Sequence, residues 1–315
     1  MIPVLFVCGP TAVGKTEYSI RLAEDLGGEI VSADSMQIYR FMDIGSAKPT
    51  REEQTRVPHH LVDFVDPREP FSVAMYQKLA LDAIKDVASR GKVPVVSGGT
   101  GLYINSLIYD MDFSAPAGDP ALRDKILAEE GNDPARLWER LRRLDPAAAD
   151  EIHPNNVKRV LRAIERLEGG EEKLRGFAEG DRPSKIIDPV LIGLDRDRDE
   201  LYKRIDARVD RLFEAGLADE IKGLMAMGLS ASDISMKGIG YKEVIEAINS
   251  GLPPESAAEK IKLSTRHYAK RQLTWLRRYK DMKWFTLKGD GFCEDVYRRI
   301  LDYGREKTQA PQPDR

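Results

Sequence analysis

The chain opens on an apolar run, Val4 to Cys8, that stops at Gly9, and from Lys15 to Leu26 apolar residues recur at helical spacing. A run that is apolar at every position, rather than at every second one, marks a strand buried on both faces. Two more strands fit Glu29 to Ser32 and Val93 to Ser97, and between them Val73 to Ser89 sets Ala74, Leu79, Ala83 and Val87 at helical period. Strand, helix and strand in that succession predict an α/β fold with a doubly wound parallel sheet.

The texture changes near Phe113. Ser114 to Pro120 is a linker-like run of Ala, Pro and Gly, and the patterns after it are helical until Pro189 to Leu194 reads as a strand again. Gly169, Gly170, Gly176, Gly180 and Pro183 form a second loose stretch before that strand. The organisation this predicts is a first core segment at 1–113 and a helical insertion domain at 114–188. Core continuation and C-terminal helices follow at 189–303, helical in pattern from Asp199, with a flexible, frayed tail at 304–315.

Composition narrows the function classes. A net charge of −3 over 315 residues excludes a uniformly basic surface, so a nucleic-acid site must come from local clustering. The two cysteines, Cys8 and Cys293, exclude zinc fingers by arithmetic, and Cys8 reads as a buried thiol within its apolar run. No run reaches the ~18 apolar residues of a membrane span. The segment Met1 to Gly9 is too short for a signal peptide and lacks a basic start, so the expected setting is cytoplasmic.

Gly9-Pro10-Thr11-Ala12-Val13-Gly14-Lys15-Thr16 reads G-x-x-x-x-G-K-[ST], and it stands where that motif works, after a strand and opening a helix. Glycines let backbone N–H groups turn toward phosphate oxygens, and the helix N-terminus adds positive potential. Lys15 supplies a point charge, and the Thr16 hydroxyl is the candidate ligand for Mg²⁺. The sheet is therefore expected to be P-loop NTPase-like. ATPases and GTPases add a strand that ends in a magnesium-holding Asp. Here Val93 to Ser97 runs into Gly98-Gly99-Thr100, and the strand-end carboxylate is instead Asp34. That favours a transferase whose leaving group sits in the P-loop.

Several further strings resemble one family, the tRNA dimethylallyltransferases (tRNA isopentenyltransferases) of bacterial type. They are Ser32-Ala-Asp-Ser-Met-Gln-Ile-Tyr39, Met42-Asp-Ile-Gly-Ser-Ala-Lys-Pro49, Pro58-His-His-Leu-Val-Asp63, Gly98-Gly-Thr-Gly-Leu-Tyr103, His153-Pro-Asn155 with Lys158 to Arg162, Gly238-Ile-Gly-Tyr241 and Lys270-Arg-Gln-Leu-Thr-Trp-Leu-Arg277. With the P-loop they run in family order from residue 4 to about 285. Met36 and Ser46 depart from the family's D-S-R-Q and G-T-A-K-P. The resemblance implies transfer of a dimethylallyl group from dimethylallyl diphosphate to N6 of an adenine beside the tRNA anticodon (position 37), with Mg²⁺ and a monomeric protein. Competing readings are a P-loop kinase of small metabolites, a prenyltransferase acting on free AMP or ADP, and a nucleotide-switched RNA-binding module.

Roles follow from the chemistry and the resemblance together. Gly9 to Thr16 hold the diphosphate, Lys15 and a Mg²⁺ near Thr16 neutralise it, and Arg208 matches a family arginine that touches it. Asp34 is the candidate base for the N6 proton, and Thr100 a candidate partner of the amine or of a flanking phosphate. Ser35, Met36 and Gln37 are expected at the flipped base. Lys260, Lys262, Arg266, Lys270, Arg271, Arg277, Arg278 and Lys280 crowd one acid-free stretch with His267, Tyr268, Trp275 and Tyr279 between them, a pattern suited to RNA. In the insertion, Lys158, Arg162 and Arg166 recur every four residues, while Val157, Val160, Leu161, Ile164 and Leu167 form a stripe that faces inward. The implied tRNA contacts add Arg123, Arg159, Val160 and Leu161, Gln272, and the loop Lys237, Gly238, Gly240, Tyr241 and Lys242. His59 and His60 are adjacent, diverge on any regular element, and read as structural, and His153 starts the basic helix.

Overall fold

The computed structural model describes residues 1–111, 113, 120–170, 182–289 and 291–308. Contacts divide the chain into two compact units, Met1–Ile108 with Lys185–Arg315, and Tyr109–Ser184. In chain order the first unit begins β1 (Ile2–Cys8), α1 (Lys15–Leu26), β2 (Glu29–Ala33), α2 (Arg51–Arg56), β3 (His59–His60), α3 (Val73–Ser89), β4 (Pro94–Gly98) and α4 (Gly101–Ile108). The second unit holds α5 (Pro120–Glu130), α6 (Pro134–Leu144), α7 (Pro146–Glu151) and α8 (Val157–Glu168). The first unit then resumes with β5 (Ile187–Arg196), α9 (Arg198–Glu214), α10 (Leu217–Ala226), α11 (Tyr241–Asn249), α12 (Ala258–Leu276), β6 (Lys283–Leu287) and α13 (Glu294–Thr308).

The six strands make one parallel sheet in the order β3-β2-β4-β1-β5-β6. β1 is central, with Leu5 opposite Val95 on one side and Val190 on the other. Val4 to Val7 have no exposed surface, as a strand covered on both faces requires. Two strands carry no such apolar run. β3 is only His59 and His60, and His60 is held by Glu29, a buried carboxylate that also takes Arg90 and Lys92. β6 is an edge strand, and it corrects the expectation that the chain is helical from Asp199 onward. Its buried residues alternate (Phe285 and Leu287 in, Thr286 out), which a search for unbroken runs passes over.

The expected tail at 304–315 is corrected in part. α13 continues to Thr308, and buried Gly304 lies against Leu5, Leu22 and Leu26. Residues 309–315 lie outside the described residues, as do 114–119 of the linker-like run and 171–181 of the second loose stretch.

The second unit is helical throughout its named elements, around Ile126, Leu137, Leu141, Val160 and Ile164. Asp133 and Asp145 cap α6 and α7, each followed by proline in the first turn, where a missing N–H leaves nothing unsatisfied. Buried Glu165, 3% exposed, receives both Arg123 and Arg162. Lys158 is exposed, whereas Arg159, Arg162 and Arg166 are half-buried. The resemblance implies that Val160 and Leu161 touch RNA, while the helical pattern puts them on the inward stripe. Both side chains are in this unit's core, which removes them as side-chain contacts with any ligand.

Among the described residues no helix is long and apolar enough to cross a membrane.

Candidate active site

At the carboxyl edge of the sheet a cavity of about 980 Å³ is bounded by the P-loop, the β2 end and helices α9 and α12. Ligands of open α/β folds bind at this edge. The loop between β1 and α1 turns through Ala12 at φ 62° and Gly14 at φ 114°, the second a conformation that suits only glycine. Its carbonyls are turned outward onto cations. Lys15 Nζ donates to Gly9 O (3.0 Å) and Pro10 O (2.9 Å), Arg204 Nε to Ala12 O (3.0 Å) and Arg196 Nε to Val13 O (3.0 Å). Gly14, Lys15 and Thr16 on the cavity wall form the N-terminus of α1, whose first-turn N–H groups have no partner within the helix. An anion is the natural ligand of such a cradle.

Asp34 follows β2 on the same wall, and its Oδ1 accepts the Met36 N–H at 2.9 Å. The turn it begins is tied across the sheet, since Thr100 Oγ1 accepts the Ser35 N–H at 3.2 Å. Thr100 stands one step behind the wall and is bonded in turn to the Tyr268 phenol. Burial pushes Lys15 down to about 8, with Asp34 pulling it up and Arg208 pushing it further down. Burial likewise pushes the Arg208 guanidinium down, and Asp34 opposes it. Lys15, Arg208 and Asp34 thus form a mutually sensed set of two cations and one anion. In the protein without ligand, the Lys15 charge fades as pH rises through about 8. The expected result is that inorganic diphosphate, titrated calorimetrically, binds with proton uptake near pH 8 and with weakening affinity above it; pH-independent affinity from 7 to 9 would remove Lys15 as the anion's partner.

The same lining includes the apolar residues Phe71, Val209, Leu212, Ile239 and Ile261, which offer contact to a hydrocarbon group. Cys8, under the P-loop, is buried, and burial pushes its thiol up to about 12, so it stays protonated.

The separate sequence motifs meet as pairs of glycine and large side chain. A Cβ on Gly101 would overlap the Trp275 ring, and one on Gly99 the Gln272 amide. A Cβ on Gly45 would sit 2.5 Å from Tyr241. Gln272 then bridges two loops, its Oε1 accepting the Thr11 N–H (2.9 Å) and its Nε2 donating to Gly99 O (3.0 Å). Gly101→Ala is therefore expected to lower the melting temperature by the equivalent of about 1–3 kcal/mol of overpacking. A thermal melt reads it, and an unchanged midpoint would mean that Trp275 moves aside freely.

These contacts correct several expectations. Gln272 is buried and braces the P-loop, and Tyr241, 1% exposed, turns its hydroxyl to Glu220, so neither presents a free side chain to RNA. Gln37 is engaged by Ser32 and by Ala47 O, though it lines the cavity. Met36 packs on Gly238, whose Cβ would lie 2.5 Å from its methyl. Trp275 gives its N–H to Tyr279 (3.2 Å) while its ring rests against α4. The basic stretch on α12 is less bare than its sequence suggests, because acids from elsewhere reach it. Glu246 takes Lys260, Asp210 takes Lys262, Asp206 takes Arg266, and Asp195 takes Arg277. Lys270, Arg271, Arg278 and Lys280 have no acidic partner among the described residues, and Arg271 also reaches the cavity wall with Lys237, Gly238 and Lys242. Gly240 opens α11 at φ 100°.

Arg196, Arg204 and Glu220 stand in no recognisable string of the sequence, and Tyr268, expected as a stacking partner within the basic stretch, lines the cavity.

Comparison with known proteins comes to the same place. The family profile described as IPP transferase matches residues 37–279, and the one described as Isopentenyl transferase matches residues 2–63. The chain is 49% identical over 301 residues to the tRNA dimethylallyltransferase of Alkaliphilus oremlandii, covering 95% of this chain and 96% of the relative. It is 47% identical to that of Clostridioides difficile, over 98% and 99% of the two chains. Among solved structures it is similar to the tRNA isopentenylpyrophosphate transferase of Bacillus halodurans (39% identity, TM-score 0.72, 98% of this chain and 99% of that one). It is also similar to a eukaryotic dimethylallyltransferase acting on tRNA (29% identity, TM-score 0.77, 91% and 74%).

Proposed function

The chain belongs to the IPP transferase family, and from that premise we propose that it transfers a dimethylallyl group from dimethylallyl diphosphate to N6 of an adenine in tRNA, at position 37 beside the anticodon, releasing diphosphate. The observation that carries the reading is the placing of an anion cradle and a carboxylate on one cavity wall. Lys15 and the α1 N-terminus form the cradle, and Asp34, at the end of β2, shares the same lining.

In the reaction the bond from the allylic carbon to the diphosphate oxygen breaks, and its electron pair leaves with the diphosphate. The N6 lone pair forms the new carbon–nitrogen bond, and an N6 proton passes to the Asp34 carboxylate. Allylic carbons part readily from good leaving groups because the double bond shares the positive charge. The protein's task is then to stabilise the departing anion and exclude water. Lys15, the α1 amides and the guanidiniums of Arg204 and Arg208 favour the charge that develops on the leaving group. The apolar lining residues Phe71, Val209, Leu212 and Ile261 keep water from the carbon. Asp34 is held by the Met36 N–H, and its neighbour Ser35 by Thr100, so the carboxylate meets the amine without rearrangement.

Magnesium fits these residues as an ion shared with the substrate. Among the described residues no three His, Cys, Asp or Glu side chains cluster to hold a metal, but Thr16 lies on the wall at the α1 N-terminus. Mg²⁺ is ordinarily held by one or two protein ligands together with phosphate oxygens. When bound, it would neutralise charge on the departing diphosphate.

For the acceptor, Lys158 and Arg162 in the second unit, with Lys270 and Arg271 on α12, are the proposed phosphate contacts. Removing Lys158 and Arg162 together is expected to weaken tRNA binding and flatten its dependence on salt by about one to two phosphate contacts. Filter binding at several salt concentrations measures this, and an unchanged slope would take the insertion out of RNA binding. The function itself is tested with radiolabelled dimethylallyl diphosphate, Mg²⁺ and unmodified tRNA. Label in acid-precipitable RNA, and none in AMP offered instead, is the expected result; label in AMP alone, or consumption of ATP without transfer, would overturn it.

A further inference from the structure

Part of the cavity lining, tied to the Asp34 turn through Gln37, is a loop with no regular structure, residues 42–49, of which Gly45, Ser46, Ala47 and Pro49 face the cavity. Its shape is set from α10. Glu220 Oε2 accepts the N–H groups of Asp43 (2.7 Å) and Ile44 (2.6 Å), and Oε1 accepts that of Gly45 (3.0 Å). The Tyr241 hydroxyl donates to Oε1 at 2.8 Å and accepts the next amide, Ser46 N–H. Four successive amides are thus gathered onto one carboxylate and one phenol. Burial and the adjoining carboxylate raise the Tyr241 phenol far above its ordinary value, so it remains a donor.

What this latch holds is strained. Just past it, Ala47 sits at φ 44°, a left-handed conformation that alanine adopts only where its surroundings impose it. The carbonyl of Ala47 accepts the Gln37 side-chain N–H at 3.2 Å, and Gln37 in turn accepts the Ser32 hydroxyl at 3.2 Å beside the Asp34 turn. A chain of contacts therefore runs from Glu220 through the loop to the side chains that follow Asp34. The P-loop has a different set of braces, Lys15, Arg196, Arg204 and Gln272.

We propose that Glu220, with Tyr241, is a positioning residue for the acceptor half of the site, holding loop 42–49 and through it Gln37 in the shape that receives the nucleobase. The inference rests on the proposed function, in which Asp34 to Gln37 meet the adenine. It predicts a split between the two substrates that general loss of structure would not produce. A carboxylate accepts four hydrogen bonds here, whereas a glutamine presents an NH₂ group to at least one amide that has nothing to give it.

Steady-state kinetics with Mg²⁺, varying tRNA and dimethylallyl diphosphate separately, test it on Glu220→Gln and Tyr241→Phe. Glu220→Gln is expected to raise KM for tRNA by roughly 10–30-fold while KM for dimethylallyl diphosphate stays within about twofold. Tyr241→Phe, which removes the hydroxyl's bonds to Glu220 and from the Ser46 N–H and keeps the ring against Gly45, should shift the same constant in the same direction by roughly three- to fivefold, and it carries the test if Glu220→Gln fails to fold. Equal rises in both KM values, or no change in either, would overturn the inference. Wild-type protein that transfers no label to tRNA would overturn the functional reading instead, so the two failures are told apart.

Discussion

Asp34→Ala is expected to lower kcat by about 10²–10⁴-fold, the range spanned by loss of a positioned general base, with the Kd for tRNA changed less than about twofold. The exocyclic amine of adenine is a weak nucleophile, because its lone pair is drawn into the ring, so removal of its proton as the new bond forms matters to the rate. Asp34 is the carboxylate at the end of β2 on the cavity wall, felt electrostatically by both Lys15 and Arg208, and it is kept in place by the Met36 N–H. Its loss removes one acceptor but leaves the turn tied through Ser35 to Thr100, so the local fold should survive. Asp34→Asn separates shape from chemistry: it can still accept the Met36 N–H but not an amine's proton, and it should be nearly as slow as alanine. Single-turnover transfer of label, beside a tRNA binding isotherm, measures both. Near-normal transfer by the asparagine variant would mean that Asp34 only shapes the turn.

The second large effect is at the cradle. Lys15→Met, close in length but uncharged, is expected to reduce kcat/KM for dimethylallyl diphosphate by about 10²–10³-fold, as loss of a principal group facing developing negative charge does elsewhere. The effect should exceed that of removing Arg208 alone, because Lys15 also ties the Gly9 and Pro10 carbonyls and so helps to form the loop. Affinity for tRNA, which draws on Lys158, Lys270 and their neighbours, should hardly move. A variant that loses tRNA affinity and donor affinity in parallel would contradict the assignment of Lys15 to the donor alone.

Much of this site is legible in the amino-acid sequence. Cys8-Gly9 through Thr16 announces a strand, a phosphate loop and a helix because each step has a local physical requirement: an unbroken apolar run, then glycine at the left-handed turn, then first-turn amides. β3 and β6 are silent for the converse reason, since neither edge strand is covered on both faces. The α12 stretch shows how far a one-dimensional reading of charge goes. Lys260, Lys262, Arg266 and Arg277 look unopposed along the chain, yet Glu246, Asp210, Asp206 and Asp195 reach them from other elements. Lys270 and Arg271 keep their charge open to solvent, and those are the positions on which the RNA proposal leans.

The co-occurrence of distant strings also has a spatial cause. G-G-T-G at 98–101 and K-R-Q-x-T-W at 270–275 belong together because Gln272 lies on Gly99 and Trp275 on Gly101. I-G-S at 44–46 belongs with G-I-G-Y at 238–241 because Gly45 makes room for the Tyr241 ring. Short-range pattern and residue chemistry are enough to specify the P-loop, the parallel α/β core, the family resemblance and Asp34 as the strand-end carboxylate. It takes the folded chain to bring Arg196 and Arg204 onto the P-loop carbonyls, to turn Gln272 and Tyr241 inward, and to gather four amides onto Glu220 and Tyr241. Apart from the Glu220–Tyr241 bond, such contacts join residues more than a hundred positions apart, and which of many arginines or glutamates lies beside a given carbonyl or amide depends on how helices stack on the sheet, which no local pattern encodes.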